Sequence, residues 1–392
     1  MKPDLQVPFN QPFIAGTELS NIAKAIRSGR LSGDGPFTAR CNRWLEARTG
    51  SARALLTHSC TGALEMASVL FDLQPGDEVI LPSFTFVSSA NAFLLRGAVP
   101  VFVDIRSDTL NIDETLIEAA ITPKTKAIVV VHYAGVGCDM DAIMAIADKH
   151  GLFVVEDAAQ GLMASYKGRP LGSIGHLGCL SFHDTKNVIS GEGGALLVND
   201  DRFAERAEIM RDKGTNRSQF FRGEVDKYTW VDLGSSFLPS EITAAFLWSQ
   251  LRCAEEITAR RLDLWAAYHA GFAEAEALGF ARGPTIGADC THNAHIYYLI
   301  LPTAKQRTAF ISMLKEQGIH TVFHYVPLHS SPFGQKVGRV AGPMDNTDSL
   351  SERLVRLPLW PGLEEVQGEV IDRVREVLKR VGAPESVASA VI

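Results

Sequence analysis

Short apolar runs alternate with helical stretches between residues 50 and 200, and this alternation constrains the fold more than any other feature of the sequence. The apolar runs predict strands at 54–57, 78–81, 99–103, 127–131 and 152–155. The stretches between them predict helices at 61–71, 88–96, 113–120 and 141–150. Strands that alternate with helices are typical of a mostly parallel sheet with helices on both faces. The sequence therefore predicts an α/β fold.

Strands at 177–182 and 195–198 end the region of alternating strands and helices, and the chain beyond residue 200 has a different pattern. The later part predicts a helix at 203–211, an irregular segment at 215–236, a long helix from Ser240 towards Tyr268, strands at 295–301 and 321–325, helices at 304–317, 350–356 and 365–381, and a frayed tail at 383–392. Since 392 residues are too many for one compact core, we predict a large domain at 1–250 and a smaller α+β domain at 251–392.

Composition excludes several classes of protein. The formal net charge of -7 disfavours nonspecific nucleic-acid binding, which needs a basic patch. No apolar run approaches the roughly 20 residues that span a bilayer, and the N-terminus has no signal-peptide core. None of the six cysteines forms a CxxC pair, so we predict reduced thiols and no metal site. These features predict a cytoplasmic protein that binds neither nucleic acid nor membrane.

Asp157 follows the predicted strand 152–155 in the sequence Glu156-Asp157-Ala158-Ala159-Gln160. An acid at the C-terminal end of a parallel strand lies at the rim where α/β folds bind ligands. An ionised carboxylate beside a pyridine nitrogen favours the protonated ring. The protonated ring then acts as an electron sink. Asp is also a common helix N-cap, and the residue alone does not distinguish the two uses.

Lys186 lies on a loop between the predicted strands 177–182 and 195–198. A lysine that forms an imine with a cofactor must be reachable and partly neutral, and cationic or desolvating neighbours lower its pKa. An ordinary exposed loop lysine is the alternative. Asp157 stands 29 residues earlier, an interval that accommodates one loop and one strand. The pair therefore predicts a pyridoxal phosphate site at one sheet edge, with Lys186 and Asp157 as catalytic residues.

A phosphate site is predicted where the strand at 54–57 meets the helix at 61–71. The small residues of Ser59-Cys60-Thr61-Gly62-Ala63 let backbone amides approach a phosphate at a helix N-terminus. A plain turn with a threonine cap is the alternative. Ser181 can add a hydroxyl donor, and Phe86 can stack on the pyridine ring or serve as a core aromatic.

His324 and His329 flank the sequence Tyr325-Val326-Pro327-Leu328. The proline breaks helical spacing and no acidic ligand lies nearby, so the pair does not predict a metal site. We expect a polar substrate contact or a structural role for these histidines.

Several of these segments together resemble the DegT/DnrJ/EryC1/StrS family of sugar aminotransferases. The resemblance covers nearly the whole chain. It rests on the segments Gly29 to Pro36, Ser59 to Leu64, Pro75 to Phe86, Glu156 to Gln160, Thr185 to Asn187 and Gly191 to Gly194.

The resemblance implies a fold of the aspartate-aminotransferase type (fold type I) and pyridoxal 5'-phosphate as the cofactor. It implies that Lys186 binds the cofactor through an imine, that Asp157 pairs with the ring nitrogen, and that Gln160 lies by the ring hydroxyl. Other cofactor contacts that it implies are Thr61, Gly62, Phe86 and Ser181. The loop Gly29 to Pro36 looks like the family's N-terminal substrate segment, so Ser32 and Asp34, with His324 and His329, are candidate substrate contacts.

The family forms homodimers with shared active sites, and this implies a second set of contacts. Many members carry an asparagine that reaches the phosphate of the neighbouring subunit, and Ser236 occupies the matching position here. Ser236 can still donate one hydrogen bond, with shorter reach.

The segments 221–237 and 323–329 resemble the branch that makes dTDP-4-amino-4,6-dideoxygalactose from a dTDP-4-keto-6-deoxy sugar and glutamate. A transaminase that gives the equatorial epimer or uses another nucleotide keto-sugar is an alternative. A sugar 3-dehydratase of the same family is another, but those enzymes carry histidine where Lys186 stands. A noncatalytic regulatory relative would have little use for Asp157, Gln160, Ser181 and Lys186 together.

Overall fold

The computed structural model describes residues 5–382, and the predicted tail at 383–392 lies outside them. The strands are β1 (Arg53–Thr57), β2 (Glu78–Pro82), β3 (Val99–Val103), β4 (Thr125–Val131), β5 (Phe153–Asp157), β6 (Ser165–Tyr166), β7 (Arg169–Pro170), β8 (Leu177–Ser181), β9 (Gly194–Val198), β10 (Cys290–Thr291), β11 (Tyr297–Ile300), β12 (Arg339–Val340) and β13 (Leu354–Leu357).

The helices cover the sheet and build most of the C-terminal part of the chain. They are α1 (Glu18–Arg27), α2 (Pro36–Thr49), α3 (Cys60–Leu70), α4 (Ser88–Leu94), α5 (Glu114–Ala120), α6 (Met140–His150), α7 (Ala204–Arg211), α8 (Arg217–Phe221), α9 (Glu241–Arg252), α10 (Ala254–Ala277), α11 (Ala304–Glu316), α12 (Gly334–Val337), α13 (Asp345–Arg353) and α14 (Gln367–Gly382).

One sheet organises the larger part of the molecule. Its strand order is β1-β9-β8-β5-β4-β2-β3-β12. β9 runs antiparallel to both of its neighbours, and all other pairings in the sheet are parallel. The central strands are buried on both faces and read as continuous apolar runs, as parallel sheets require. The predicted α/β fold with a mostly parallel sheet is therefore confirmed.

Apolar packing divides into clusters on the sheet and a cluster in the C-terminal part. Three clusters lie against the faces of the large sheet. The C-terminal cluster joins α10, α11 and α14 to the two-stranded sheet of β11 and β13. We call the part of the chain around this cluster the C-terminal unit. The edge strand β12 lies beyond residue 250 in the sequence but pairs with β3 of the large sheet. The domain boundary at residue 250 therefore stays a prediction.

Three element predictions were wrong. The long helix from Ser240 is two helices, α9 and α10, which Cys253 separates with a non-helical backbone conformation. The predicted helix 350–356 is the end of α13 followed by β13, because Leu354, Val355 and Leu357 are buried as a strand paired with β11. The predicted strand 321–325 makes only one bridge, between Val322 and Arg356.

A buried carboxylate fixes the loop that precedes α2. Glu241 accepts hydrogen bonds from the backbone amides of Gly35 (3.1 Å), Phe37 (2.8 Å) and Thr38 (2.9 Å), and from the Thr38 hydroxyl (2.5 Å). The negative charge lies at the positive end of the α2 dipole. A Cβ at Gly35 would lie 2.5 Å from the Glu241 carboxyl carbon, so this glycine is required. Glu241 therefore anchors the C-terminal end of the segment Gly29 to Pro36.

Replacing Glu241 by alanine is expected to lower the free energy of unfolding by about 3 kcal/mol, because three amides and a hydroxyl lose a charged acceptor in a buried site. Urea unfolding followed by circular dichroism measures this loss. Glu255→Ala is the matched control, since Glu255 is exposed and its ion-pair partner within residues 5–382 is Arg48 alone. This substitution is expected to change stability by less than about 0.5 kcal/mol. Equal effects of the two substitutions would contradict the anchoring role of Glu241.

Candidate active site

A cleft of about 850 Å³ opens between the C-terminal edge of the large sheet and the C-terminal unit. The predicted site residues that line it are Thr61, Phe86, Asp157, Gln160, Ser181, Lys186 and His324. The structure thus brings together residues from β5, β8, the start of α3 and three loops. The parallel strands β4 and β5 end at this cleft, as ligand sites in α/β folds do.

Asp157 ends β5 at the floor of the cleft and is buried. Its Oδ2 accepts a hydrogen bond of 2.6 Å from the Ser89 hydroxyl, and its Oδ1 accepts one of 3.2 Å from the amide of Ala159. Burial raises the pKa of Asp157, whereas these hydrogen bonds and the charge of Lys186 act in the opposite direction. A cationic ring nitrogen placed beside Asp157 would strengthen the same opposing effect and favour the ionised carboxylate.

Lys186 lies on the other side of the cleft floor. Its backbone amide donates to the carbonyl of His183 at 2.9 Å, which closes the turn that presents the side chain. No residue in 5–382 forms a hydrogen bond or an ion pair with its Nζ. Desolvation lowers the pKa of Lys186, and the charge of Arg356 lowers it further. A lowered pKa is the property that lets a lysine amine act as a nucleophile and a base.

The start of α3 forms one end of the cleft. Ser59 caps the helix by accepting from the amide of Gly62 at 3.0 Å, and the hydroxyls of Thr61 and Ser88 are 2.7 Å apart. Helix geometry leaves the first-turn amides of Cys60 and Thr61 without an intrahelical partner. These amides and hydroxyls suit a phosphate group.

Close packing at this end of the cleft requires glycine at the last position of the segment Gly191 to Gly194. Gly194 pairs with Thr57 across β1 and β9. A Cβ at Gly194 would lie 2.3 Å from the carbonyl carbon of Ser59 and 2.4 Å from the amide nitrogen of Cys60. Only glycine lets β9 approach the turn that presents the free amides.

Gln160 and Phe86 stand along the sides of the cleft. Gln160 accepts from the amide of Ala134 at 2.7 Å and donates to the Tyr325 hydroxyl at 2.9 Å, so its amide group is held in one orientation. Phe86 is 57% exposed and its ring centroid is 6.4 Å from that of Tyr325. An exposed aromatic face in a cleft suits stacking on a planar ligand.

His324 lines the cleft beneath these aromatic rings. Its Nδ1 and the Tyr133 hydroxyl form a hydrogen bond of 2.7 Å, and its ring stacks on Tyr325 with centroids 3.7 Å apart. Burial and nearby cationic charge lower the pKa of His324 well below its usual value. This histidine is therefore neutral and fixed.

The remaining predicted residues lie elsewhere in the chain. Ser32 and Asp34 line a second cavity of about 890 Å³, where Asp34 accepts from Arg211 at 2.7 Å. His329 pairs with the Ser83 hydroxyl at 2.7 Å and does not line the cleft. Gly62 lies in the first turn of α3, where its amide donates to the Ser59 cap, and Ser236 forms a bridge with Asp212 outside the cleft. Their assignment to substrate or cofactor binding stays a prediction.

Sequence reasoning missed the residues that the C-terminal unit contributes to the cleft. These are chiefly Arg261, His295, Tyr325 and Arg356. The wrong helix prediction at 350–356 concealed Arg356, since only a strand at this position directs it beside Val322. Tyr325 lies next to His324 in the segment 324–329, and this proximity was the sequence feature from which its place in the cleft could have been predicted.

A chain of buried hydrogen bonds connects the C-terminal unit to the lysine loop. The Asn187 side chain, next to Lys186, accepts from His295 Nδ1 at 3.0 Å and donates to the carbonyl of Asn293 at 2.9 Å. Asn293 in turn donates to the carbonyl of Gln160 at 2.7 Å. Burial is the main cause that lowers the pKa of His295 well below its usual range, so the neutral ring donates from Nδ1. Lys186 and Gln160 are therefore positioned by one shared network.

The geometry fits pyridoxal phosphate. Free amides and hydroxyls at the start of α3 suit its phosphate, Asp157 suits its ring nitrogen, and the unpaired Lys186 amine suits its aldehyde. Within residues 5–382 no three His, Cys, Asp or Glu side chains converge as a metal site would require. None of the described helices combines the length and apolarity needed to cross a membrane.

Comparisons with known proteins agree with this geometry. The chain is 35% identical over 382 residues to the spore coat polysaccharide biosynthesis protein SpsC of Bacillus subtilis (strain 168), across 95% of this chain and 97% of SpsC. The fold is similar to that of DesV from S. venezuelae, solved in complex with a ketimine intermediate, with a TM-score of 0.87 and 33% identity over 96% of this chain and 99% of DesV.

The PLP form of Spr1654 from Streptococcus pneumoniae has a TM-score of 0.88 and 27% identity, over 96% of this chain and all of that one. These neighbours confirm the predicted fold of pyridoxal phosphate aminotransferases. The family model for DegT/DnrJ/EryC1/StrS aminotransferases matches residues 12–378. The chain accordingly belongs to the DegT/DnrJ/EryC1/StrS family of sugar aminotransferases, which depend on pyridoxal 5'-phosphate.

Proposed function

We propose that the protein converts dTDP-4-dehydro-6-deoxy-D-glucose to dTDP-4-amino-4,6-dideoxy-D-galactose with L-glutamate as the amino donor. The transaminase chemistry is supported by the presence in one cleft of a buried Asp157 and of Lys186, whose amine has no partner in the described part of the chain. The choice of sugar rests on the segments 221–237 and 323–329, which resemble the branch with this activity.

In this proposal each described residue has a defined task. Pyridoxal phosphate, when bound, supplies an electron sink for the carbon that loses its proton. Asp157 keeps the ring nitrogen protonated, and the start of α3 with Ser181 holds the phosphate. Phe86 covers one face of the ring, and Gln160 orients its hydroxyl.

Lys186 acts twice in the proposed reaction. With pyridoxal phosphate bound, Lys186 would hold the cofactor covalently until the donor amine takes its place. The released amine then moves a proton between the donor carbon and the cofactor carbon, as general base and then general acid. Water would release oxoglutarate while the bound cofactor keeps the amino group, and Lys186 would act in the reverse order on the C4 ketone of the nucleotide sugar, which gains this amino group and loses its oxygen as water. The lowered pKa of Lys186 supports this role, because a neutral amine is needed to accept the proton.

We also propose a homodimer in which each active site takes residues from both chains. Ser236 is the residue expected to reach the neighbouring phosphate, and the exposed aromatic side chains of Phe221 and Trp230 lie in the same irregular segment. Exposed apolar side chains of this size suit an interface between subunits.

Two other activities of the same class are distinguished by the product. An equatorial amine at C4 would indicate the gluco epimer, and no reaction with this sugar would indicate a different nucleotide keto-sugar. SpsC is named for spore coat polysaccharide biosynthesis, and a structural neighbour from Helicobacter pylori, PseC, for pseudaminic acid biosynthesis. A 3-dehydratase activity is disfavoured because lysine stands at position 186.

The product identifies the reaction. Incubation of the purified protein with dTDP-4-dehydro-6-deoxyglucose and glutamate is expected to give a 4-amino sugar whose C4 proton shows the small couplings of an axial amine, measured by NMR. Protein without glutamate is the control and is expected to leave the ketone unchanged beyond one turnover. Large C4 couplings would replace the galacto assignment by the gluco epimer, and an unchanged ketone would refute this substrate.

A further inference from the structure

Arg356 is a cation of the cleft that has no carboxylate partner among residues 5–382. Its Nη2 donates to the carbonyl of Phe323 at 3.3 Å, and its guanidinium lies 4.8 Å from the ring centroid of Phe9. Its Nε is buried and without a partner, and its Nη1 forms no hydrogen bond with the described residues. Burial lowers the pKa of Arg356, and the groups that oppose this effect are the tyrosines Tyr133 and Tyr325.

The other charges of the cleft do not compensate Arg356. Arg261 donates to the carbonyls of Ala294 (3.0 Å) and His295 (2.6 Å), which carry no net charge. Lys186 is a third basic group of the cleft and supplies no negative charge. The acids that line the cleft are Asp157, which faces Lys186 and the cofactor position, and Glu192, which is exposed beside His183. Arg261 is buried and Arg356 is half-buried with a buried Nε. Guanidinium groups withdrawn from water without carboxylates are costly unless an anion joins them.

The position of Arg356 indicates which anion it receives. It lies on β13 in the C-terminal unit, whereas the amides that suit the cofactor phosphate lie at the start of α3 in the larger unit. It lines the same cleft as Lys186, and its charge contributes to the lowered pKa of that amine. The anion at Arg356 must therefore belong to a substrate that enters close to the reacting carbon.

We propose that Arg356 binds a carboxylate of the amino-acid donor and thereby determines donor affinity. The inference rests on the proposed transaminase function. A planar guanidinium with a free Nη1 and an apolar ring behind it is suited to a carboxylate, which it can meet with parallel hydrogen bonds. The nucleotide sugar carries its negative charge on a diphosphate that is separated from C4 by the sugar ring, so it has less reason to meet a cation beside Lys186.

Separate half-reactions test this inference. The holoenzyme is mixed with L-glutamate, and the change in cofactor absorbance gives the rate at each glutamate concentration. The amino form of the enzyme is then mixed with the keto-sugar in the same way. Arg356→Met is expected to raise the glutamate concentration for half-maximal rate about 100-fold, as the loss of one charge-assisted pair implies. The rate of the sugar half-reaction is expected to change by less than about 3-fold, which is the small effect typical of substituting a residue that does not contact the sugar.

Two further variants guard against a structural effect. Arg356→Lys keeps the charge but loses the planar fork, and we expect an intermediate increase of about 10-fold for glutamate. Arg353→Met is the matched control, because Arg353 lies three residues earlier, bonds to Ser349 and Pro302, and does not line the cleft. It is expected to leave both half-reactions unchanged. An unchanged visible absorbance of the bound cofactor shows that each variant is folded.

The outcomes separate the two levels of inference. If the wild-type protein binds no cofactor or does not respond to glutamate, the proposed function fails, and the role of Arg356 fails with it. If the wild-type protein responds and Arg356→Met responds at the same glutamate concentrations, only the role of Arg356 is refuted. Weakening of the sugar half-reaction alone would likewise overturn the assignment, because it would place the diphosphate at this cation.

Discussion

Replacing Lys186 by alanine is expected to abolish turnover and to remove the visible absorbance of the lysine-bound cofactor. Two functions would be lost at once, since in the proposed mechanism the same amine holds the cofactor and carries the proton. Proton transfer by a positioned side chain contributes up to about 10⁴-fold to a rate, so we expect a decrease of at least this size. The amine has no competing partner among residues 5–382 and a lowered pKa, so the loss has a direct chemical cause. Spectra of the purified variant and an assay for oxoglutarate measure both effects.

Two controls separate chemistry from folding in the Lys186 variant. Lys186→Arg keeps the positive charge but cannot form the imine, and it is also expected to be inactive. Lys167→Ala removes an exposed lysine that pairs with Asp141 and Asp289, and it is expected to retain full activity. A Lys186→Ala protein with wild-type turnover would refute the proposed mechanism.

Replacing Asp157 by asparagine is expected to lower turnover on the order of 10³-fold, comparable to the removal of a group that stabilises developing charge in a buried site. Asparagine has nearly the same volume, but it cannot hold the ring nitrogen protonated, so the ring withdraws electrons less well. The carboxylate is buried and accepts from the Ser89 hydroxyl at 2.6 Å, so its position is fixed. Steady-state assays with glutamate and the keto-sugar measure the decrease.

The expected signature of Asp157→Asn differs from that of Lys186→Ala. The variant retains Lys186, so the absorbance of the bound cofactor should remain. The pKa of the cofactor's ring nitrogen should be lower than in the wild type, because the carboxylate that favours the protonated ring is gone. Asp184→Asn, in the exposed loop before Lys186, is the control and should behave as wild type. Wild-type turnover in Asp157→Asn would show that the protonated ring nitrogen is not needed for this reaction.

Sequence reasoning identified the residues of the larger unit because local patterns position them. Asp157 ends a strand whose apolar run is continuous, and Gly194 marks the close approach of β9 to the Ser59 turn. The ends of parallel strands converge at one edge, so residues distant in the chain were expected in one place. The prediction that Asp157 and Lys186 share one site follows from this rule, whereas Gln160 was added by the family resemblance; both expectations agree with the lining of the cleft.

The residues of the C-terminal unit could not be predicted in the same way. Arg356 lies on a short strand and pairs with Tyr298, which stands 58 residues earlier in the chain. Local propensity favoured a helix there. His295 reaches the lysine loop through Asn187, a contact that no pattern in either segment indicates. Ser32 and Asp34 were assigned by resemblance alone, and in this chain they line a different cavity.

The hydrogen-bond chain through Asn187, His295 and Asn293 has a consequence for protein engineering. A chimera that joins the larger unit of this enzyme to the C-terminal unit of a relative would exchange His295 and Asn293 but keep Asn187 and Gln160. If Arg356 binds the donor as proposed, we expect that exchanging Arg356 and its strand alone would not transfer donor preference. Because residues 293–295 and Asn187 are joined by hydrogen bonds, we expect that a functional chimera must take all of them from the same parent protein.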